Sequence, residues 1–174
     1  MIRRYTEFKV SNIPWIKEIP KHWDVIKLKY LLKRIQTGST PSTKNEDYYD
    51  GTINWFTPGD INNQKSLKKS SRTVSPLAVR DNEIKILPKD TVLLVCIGAT
   101  LGKVAILDEP ASFNQQITGL VTNELLNQDY LYYWLLLNRN TINSIANYTT
   151  LPIINNEFVK EFHSIVPPKE EQNQ

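Results

Sequence analysis

The chain has 174 residues, 40% hydrophobic and 22% charged, with a formal net charge of +3 at pH 7. A chain of this length buries about two-thirds of its unfolded surface, so one domain with its own core is expected. Its single cysteine, Cys96, excludes an intrachain disulfide framework and fits a reducing, cytoplasmic compartment; no apolar run reaches the ~18 residues of a membrane span, and no apolar segment behind the charged N-terminus makes a secretion signal.

Residues 5–22 read as extended loop, because Pro14 and Pro20 break any helix. Residues 23–28 alternate apolar and polar, which predicts a strand entering a short helix over residues 30–34. Residues 38–50 carry the composition of a loop, and 53–57 that of a short aromatic strand ended by Pro58-Gly59. A polar, aperiodic stretch, 60–74, predicts a second long loop.

Ser75-Pro76 predicts a helix start, with Ser75 as N-cap and the helix running to about Ile84. Strands follow over 91–97, 103–107 and 117–122, the first two joined by a tight glycine hairpin. Asn127 opens a helix through Asn138 that is apolar nearly all round and therefore expected to be buried on most sides. Short helices over 141–146 and 155–162 and a strand over 164–166 close the chain. Irregular mixing of strands and helices indicates an α+β (α/β mixed) fold: one twisted mixed sheet of short strands, flanking helices and long loops.

Charge is unevenly spread. Residues 1–40 carry a net +6 and residues 61–80 a net +5, leaving −8 for the rest. Two basic segments on a near-neutral chain point to a polyanionic partner at particular faces.

Catalytic motifs fail on spacing. Gly98 to Lys103 resembles a phosphate-binding loop, but only three residues separate its glycines and Val104 stands where a magnesium-binding hydroxyl is needed. His22, His163 and Cys96 are too scattered for zinc, and no G-x-S-x-G elbow exists. Asp60 with Glu83-Ile84-Lys85 offers the residue types of a metal-dependent nuclease, which stays open as a minor alternative. The only Pro-Pro pair, Pro167-Pro168, is followed by Lys169 rather than an aromatic residue, against an amino-methyltransferase. What remains is binding: residues 61–72 mix amides, hydroxyls and cations, the groups that bond base edges and phosphates. Tyr48, Tyr49, Trp55 and Phe56 lie nearby and are expected as core or loop anchors more than as base-stacking groups.

Taken in order, Ile19-Pro20-Lys21-His22-Trp23, Gly38-Ser39-Thr40-Pro41-Ser42, residues 53–61, Leu87-Pro88-Lys89-Asp90-Thr91, Ile97-Gly98-Ala99-Thr100-Leu101-Gly102-Lys103, Ala111 to Gln116, the Tyr-Leu-Tyr-Tyr-Trp-Leu segment and Val166 to Gln172 resemble the target recognition domain of a type I restriction-modification specificity subunit. The resemblance implies a domain that reads a few base pairs of double-stranded DNA from the major groove and performs no catalysis. It implies modification (methyltransferase) and restriction subunits as partners, with S-adenosylmethionine, ATP and magnesium bound by them rather than by this chain. It divides the chain into a recognition domain, 1–168, and the first turn of a truncated spacer helix, 169–174, through which self-association would occur. The alternative within the same resemblance is a module that binds modification subunits without reading DNA. The family often carries glycine where Asp90 and Tyr148 stand here.

Base-reading loops vary across such a family, so contacts are assigned from the residues themselves. Lys65, Lys68, Lys69 and Arg72 are expected at phosphate or guanine, and Asn62, Asn63 and Gln64 as amide readers. Ser39, Thr40 and Ser42 are phosphate candidates, as is Lys103, and Thr149 and Thr150 form a second edge. Asn114, Gln115 and Gln116 are expected to satisfy loop backbone.

Overall fold

A computed structural model describes residues 5–146 and 152–173. The chain opens with an antiparallel hairpin, β1 (Phe8–Ile13) and β2 (Ile16–Pro20), where loop had been expected. Pro14 does forbid a helix, but the chain turns there instead, helped by Asn12 at φ 58°. β3 (Asp24–Lys27) follows as predicted, then one 3-10 turn, Leu28–Tyr30. The expected helix over residues 30–34 is absent; the chain runs on as β4 (Leu32–Thr37). Pairing overrides the local pattern here: Thr37, Gln36, Ile35 and Arg34 lie opposite Thr118, Gly119, Leu120 and Val121.

β5 (Tyr49–Phe56) ends at a proline-led 3-10 turn, Pro58–Asp60. The loop expected over residues 60–74 contains two brief strands, β6 (Ser66–Leu67) and β7 (Thr73–Val74). α1 (Pro76–Arg80) is shorter than predicted. Asn82 takes φ 61°, its N–H bonds the Val79 carbonyl, and Glu83 N–H bonds the Ala78 carbonyl, a Schellman closure with asparagine in place of glycine. Ser75 sits at the N-cap position, but its hydroxyl donates to the Asp47 carbonyl at 2.6 Å and caps nothing.

β8 (Val92–Val95) and β9 (Val104–Leu107) form the expected hairpin. Its connection is wider than a tight turn. It spans residues 96–103, with Gly98 and Gly102 at φ 95° and 82° and Ile97 bridged to Ile153. Asp90 also takes a left-handed φ of 66°. β10 (Ser112–Phe113), β11 (Ile117–Thr122), α2 (Gln128–Leu137), α3 (Arg139–Ala146), α4 (Asn156–Glu161), β12 (His163–Val166) and α5 (Lys169–Gln172) complete the chain. Asn127 and Asn155 cap α2 and α4 by accepting from the amides of Asp129 and Phe158.

The central sheet runs β4-β11-β8-β9-β6; only the β6–β9 pairing is parallel. Every residue of β8 and β9 is buried. Val92, Leu94, Val104 and Ile106 face the larger core beneath α2, while Leu93, Val95, Ala105 and Leu107 face a second core with Phe56 and Phe113. Each of the Val, Leu, Ile and Phe side chains contributes about 1.5–3 kcal/mol by leaving water. A third cluster of Tyr48, Trp55, Val74, Ala78 and Ile84 holds β5, β7 and α1 together. α2 is less enclosed than its composition suggested: Tyr133, Leu136 and Leu137 are exposed, Leu137 by 77%.

Chain entry and exit are clasped. The Glu171 carboxylate accepts from Tyr5 Oη at 2.8 Å and Trp23 Nε1 at 2.9 Å, and pairs with His22 Nε2 at 3.0 Å. Burial alone would raise its pKa, but the bonds from Trp23, Tyr5 and His22 prevail and hold it at about 2. Gln172 is buried beside it. Its amide donates to the carbonyls of Leu125 and Pro167 and accepts from Asn127 N–H, tying α5 to the start of α2.

Two outcomes follow from this packing. A Cβ at Gly38 would meet the carbonyl oxygens of Phe113 and Asn114 at 2.2 and 2.4 Å, so Gly38→Ala should destabilise the fold by about 1–3 kcal/mol in denaturant titration. The Glu171 clasp, with a folded pKa below the ordinary 4.5, contributes stability that is complete above about pH 4.5 and lost as pH falls toward 2. Acid titration of Glu171→Gln should therefore show a shallower loss across that window than the parent chain.

Candidate nucleic-acid interface

The basic segment 66–72 is braced along β5. Asn54 donates from Nδ2 to the Lys68 carbonyl at 3.2 Å and accepts from Ser70 N–H at 3.1 Å. Trp55 N–H donates to Ser70 Oγ at 3.0 Å and to the Arg72 carbonyl at 3.1 Å. Asp60 secures the near end by accepting from Thr57 N–H at 2.7 Å and Ser71 N–H at 2.8 Å. Burial pushes the Asp60 pKa up, yet these bonds outweigh it and keep the group below its ordinary value. The segment is thus a fixed ledge rather than a floppy loop.

Arg72 is exposed, with its guanidinium carbon 5.2 Å from the Trp55 ring centre and 5.6 Å from that of Tyr49. Both rings are themselves anchored. Trp55 Nε1 donates to the Ser39 carbonyl at 2.9 Å, and Tyr49 Oη donates to the Pro41 carbonyl at 2.6 Å. Stacking removes rotamer freedom from Arg72 while its fork of N–H donors stays open to a partner. Lys68 and Lys69 are exposed, and among the described residues neither ammonium has a bonded partner. Tyr48, Trp55 and Phe56 are core residues, as anticipated; the part-buried Tyr49 is the plate for Arg72, a role composition alone did not signal.

Other candidates are placed differently. Lys65 turns toward α2, where its ammonium lies 3.0 Å from Asp129 and 4.9 Å from the Tyr133 ring centre. Burial would lower its pKa, but Asp129 prevails and raises it, so this cation already has its counter-charge. Gln64 is occupied at both ends, accepting from Asn62 N–H and donating to the Asp60 carbonyl, and Asn62 Nδ2 donates to the Gly59 carbonyl. Reading a base with either amide would first break this local web. Asn63, at φ 66°, is the exposed amide of the three whose side chain has no such bond among the described residues.

The first-loop hydroxyls do not form a phosphate cradle. Ser39 donates to the Glu83 carbonyl at 2.6 Å and Thr40 to Gln115 Oε1 at 2.5 Å. Ser42 N–H is held at 3.0 Å by the Glu83 carboxylate, whose charge would repel a phosphate there. Asn114 and Gln116 bond one another and the loop backbone, the structural role expected of them. Lys103 and Asn63 line one hollow, next to α2. Thr149 and Thr150 lie outside the described residues, as does Tyr148.

The residues offered for nuclease chemistry are engaged elsewhere. Asp60 pins the ledge and Glu83 holds Ser42. Among the described residues no group of three His, Cys, Asp or Glu side chains is placed to hold a metal ion, and no helix is long and apolar enough to cross a membrane. Cys96 is buried, and burial pushes its thiol up to about 11, so it behaves as a small core residue.

Sequence comparison matches a profile described as the type I restriction modification DNA specificity domain to residues 20–174. The chain belongs to that family. It is 35% identical over 173 residues to the type I restriction enzyme MjaIX specificity subunit of Methanocaldococcus jannaschii, a match covering 96% of this chain and 38% of that protein. It is 26% identical to the HindI specificity subunit of Haemophilus influenzae over 66% of this chain and 24% of that one. The chain therefore spans well under half the length of these relatives. The crystal structure of the HsdS subunit from Thermoanaerobacter tengcongensis superposes with a TM-score of 0.68 at 16% identity, over 94% of this chain and 37% of that one. A type I restriction-modification assembly structure gives 0.69 at 17% identity over 94% of this chain and 38% of that one. These likenesses confirm the α+β architecture.

Proposed function

We propose that this chain is a non-catalytic DNA-reading domain of a type I restriction-modification specificity subunit, recognising one half of a bipartite duplex target. The observation that carries the reading is the braced ledge, which presents Lys68, Lys69 and the stacked Arg72 outward from β5. Lysine ammoniums on flexible stems suit phosphates, where a point charge suffices. A guanidinium held flat suits the paired acceptors O6 and N7 of guanine. On this reading the modification and restriction subunits are partners that carry the chemistry, and S-adenosylmethionine, ATP and magnesium are theirs to bind. Residues 1–168 form the recognition domain, and α5, within 169–174, is the first turn of a spacer helix through which copies would associate.

A second reading, a docking module for modification subunits that reads no DNA, is favoured by the exposed apolar side chains Tyr133, Leu136 and Leu137 on α2. The two separate in one assay. Replacing Lys68 and Lys69 together by alanine should weaken binding to all duplexes and flatten the slope of log affinity against log salt by up to ~0.9 per lost phosphate contact. Unchanged affinity and slope would favour the docking module. Arg72→Lys keeps the charge but loses the planar fork. It should cost about 1–3 kcal/mol on duplexes selected from a random library by the parent chain, with little change on unselected DNA. An equal loss on both would make Arg72 a phosphate contact.

A further inference from the structure

One hollow lies apart from the ledge. It has a volume of about 260 Å³ and opens between the β8–β9 connection, the residue 61–63 segment and the corner where α2 meets α3. Its apolar wall is Ile61, Val104, Tyr132 and Leu136. Its polar lining is Lys103, Arg139 and Asn63, with no carboxylate. Among the described residues neither cation has an ion-pair or hydrogen-bond partner, and Arg139 Nε is buried without one.

This arrangement is unusual for two cations. A buried guanidinium N–H normally finds an acceptor, because leaving it unpaired forfeits its hydration with nothing in return. Lys65, on the same loop as Asn63, shows the ordinary solution in its pairing with Asp129. At the hollow the acceptor is lacking while the charge is retained. Gly102 brings the β8–β9 connection close enough that a Cβ there would sit 2.8 Å from Arg139 Cγ, so glycine is what lets the arginine stem lie flat against the turn that carries Lys103. The apolar wall reduces screening and strengthens any charge-assisted bond formed inside.

We propose that this hollow is a phosphate-binding site, with Arg139 supplying a directional fork, Lys103 a second positive charge and the Asn63 amide a neutral donor. A tetrahedral oxyanion offers acceptors to all three kinds of donor that line the hollow, and its negative charge offsets the two positive ones. The phosphate is either one of a duplex backbone or a free ion. Only the duplex assignment rests on the DNA-reading function, because the loop that carries Lys68 and Lys69 also supplies Asn63.

Two measurements on the full chain test the site. Inorganic phosphate is titrated while the Gly102 and Lys103 amide resonances are followed, for the parent chain, Lys103→Gln, Arg139→Gln and a control, Lys89→Gln, at an exposed turn. In parallel, duplex affinity is measured against salt for the same four proteins. Saturable shifts in the parent and control but not in the two site variants support the site. A salt slope flatter by up to ~0.9 in each site variant assigns the phosphate to a duplex. Phosphate binding with unchanged slopes assigns it to a free ion. Should the parent bind phosphate but no duplex, the DNA-reading function falls and the hollow stands. If the site variants match the parent in both measurements, with thermal melts showing all four folded, the proposal is overturned.

Discussion

Burial of β8 and β9 on both faces is the constraint from which the rest of the molecule follows. Of the side chains on those strands, Val104 reaches a surface hollow, but none carries a polar group to meet a ligand. Recognition must therefore be built from connections, and connections are useful only when held still. The fold meets that need with polar groups of the loops themselves. Ser39 and Pro41 lend carbonyls to Trp55 and Tyr49, and these rings carry Arg72. Asn54, Asp60 and Ser70 are used to fix the ledge rather than to touch a partner. Among the described residues of the 61–72 segment, Asn63, Lys68 and Lys69 keep side chains without a hydrogen-bonded or ion-paired partner.

This division sorts the basic residues more sharply than charge patterning can. Five Lys and Arg residues between 61 and 80 form one cluster in the sequence. In space Lys65 is neutralised at α2 and Arg72 is stacked, while Lys68 and Lys69 stand open. Lys103 meets Arg139 across a turn and a helix corner, although 36 positions separate them in the sequence. Long-range packing, not local composition, decides which cations are available.

What could be read from the sequence was whatever depends on neighbours in the chain. β8, β9 and β11 were legible because an apolar run bounded by glycine or proline has few alternatives. Asn127 and Asn155 announced α2 and α4 because a cap is a local bond. The helix expected over residues 30–34 gives way to β4 because the strand identity of that segment comes from β11, more than eighty residues later in the chain. The opening hairpin was missed because a left-handed asparagine, unlike glycine, leaves no obvious mark. At the site, donors and acceptors suggest base readers by their chemistry alone, although a loop consumes such groups before a ligand can. Arg139 went unnoticed for the opposite reason: only its surroundings distinguish it.

The Glu171 clasp links distant parts of the chain. Tyr5 and Glu171 are 166 positions apart in sequence yet share a hydrogen bond, so the first and last described segments are joined directly. The clasp fastens the segments entering and leaving the fold with three side chains, Tyr5, His22 and Trp23, around one carboxylate. Gln172, the next residue, holds α5 by separate bonds to Leu125, Pro167 and Asn127, so the turn is fixed at two adjacent positions. One carboxylate thus gathers residues from the first and last parts of the described chain into a single contact.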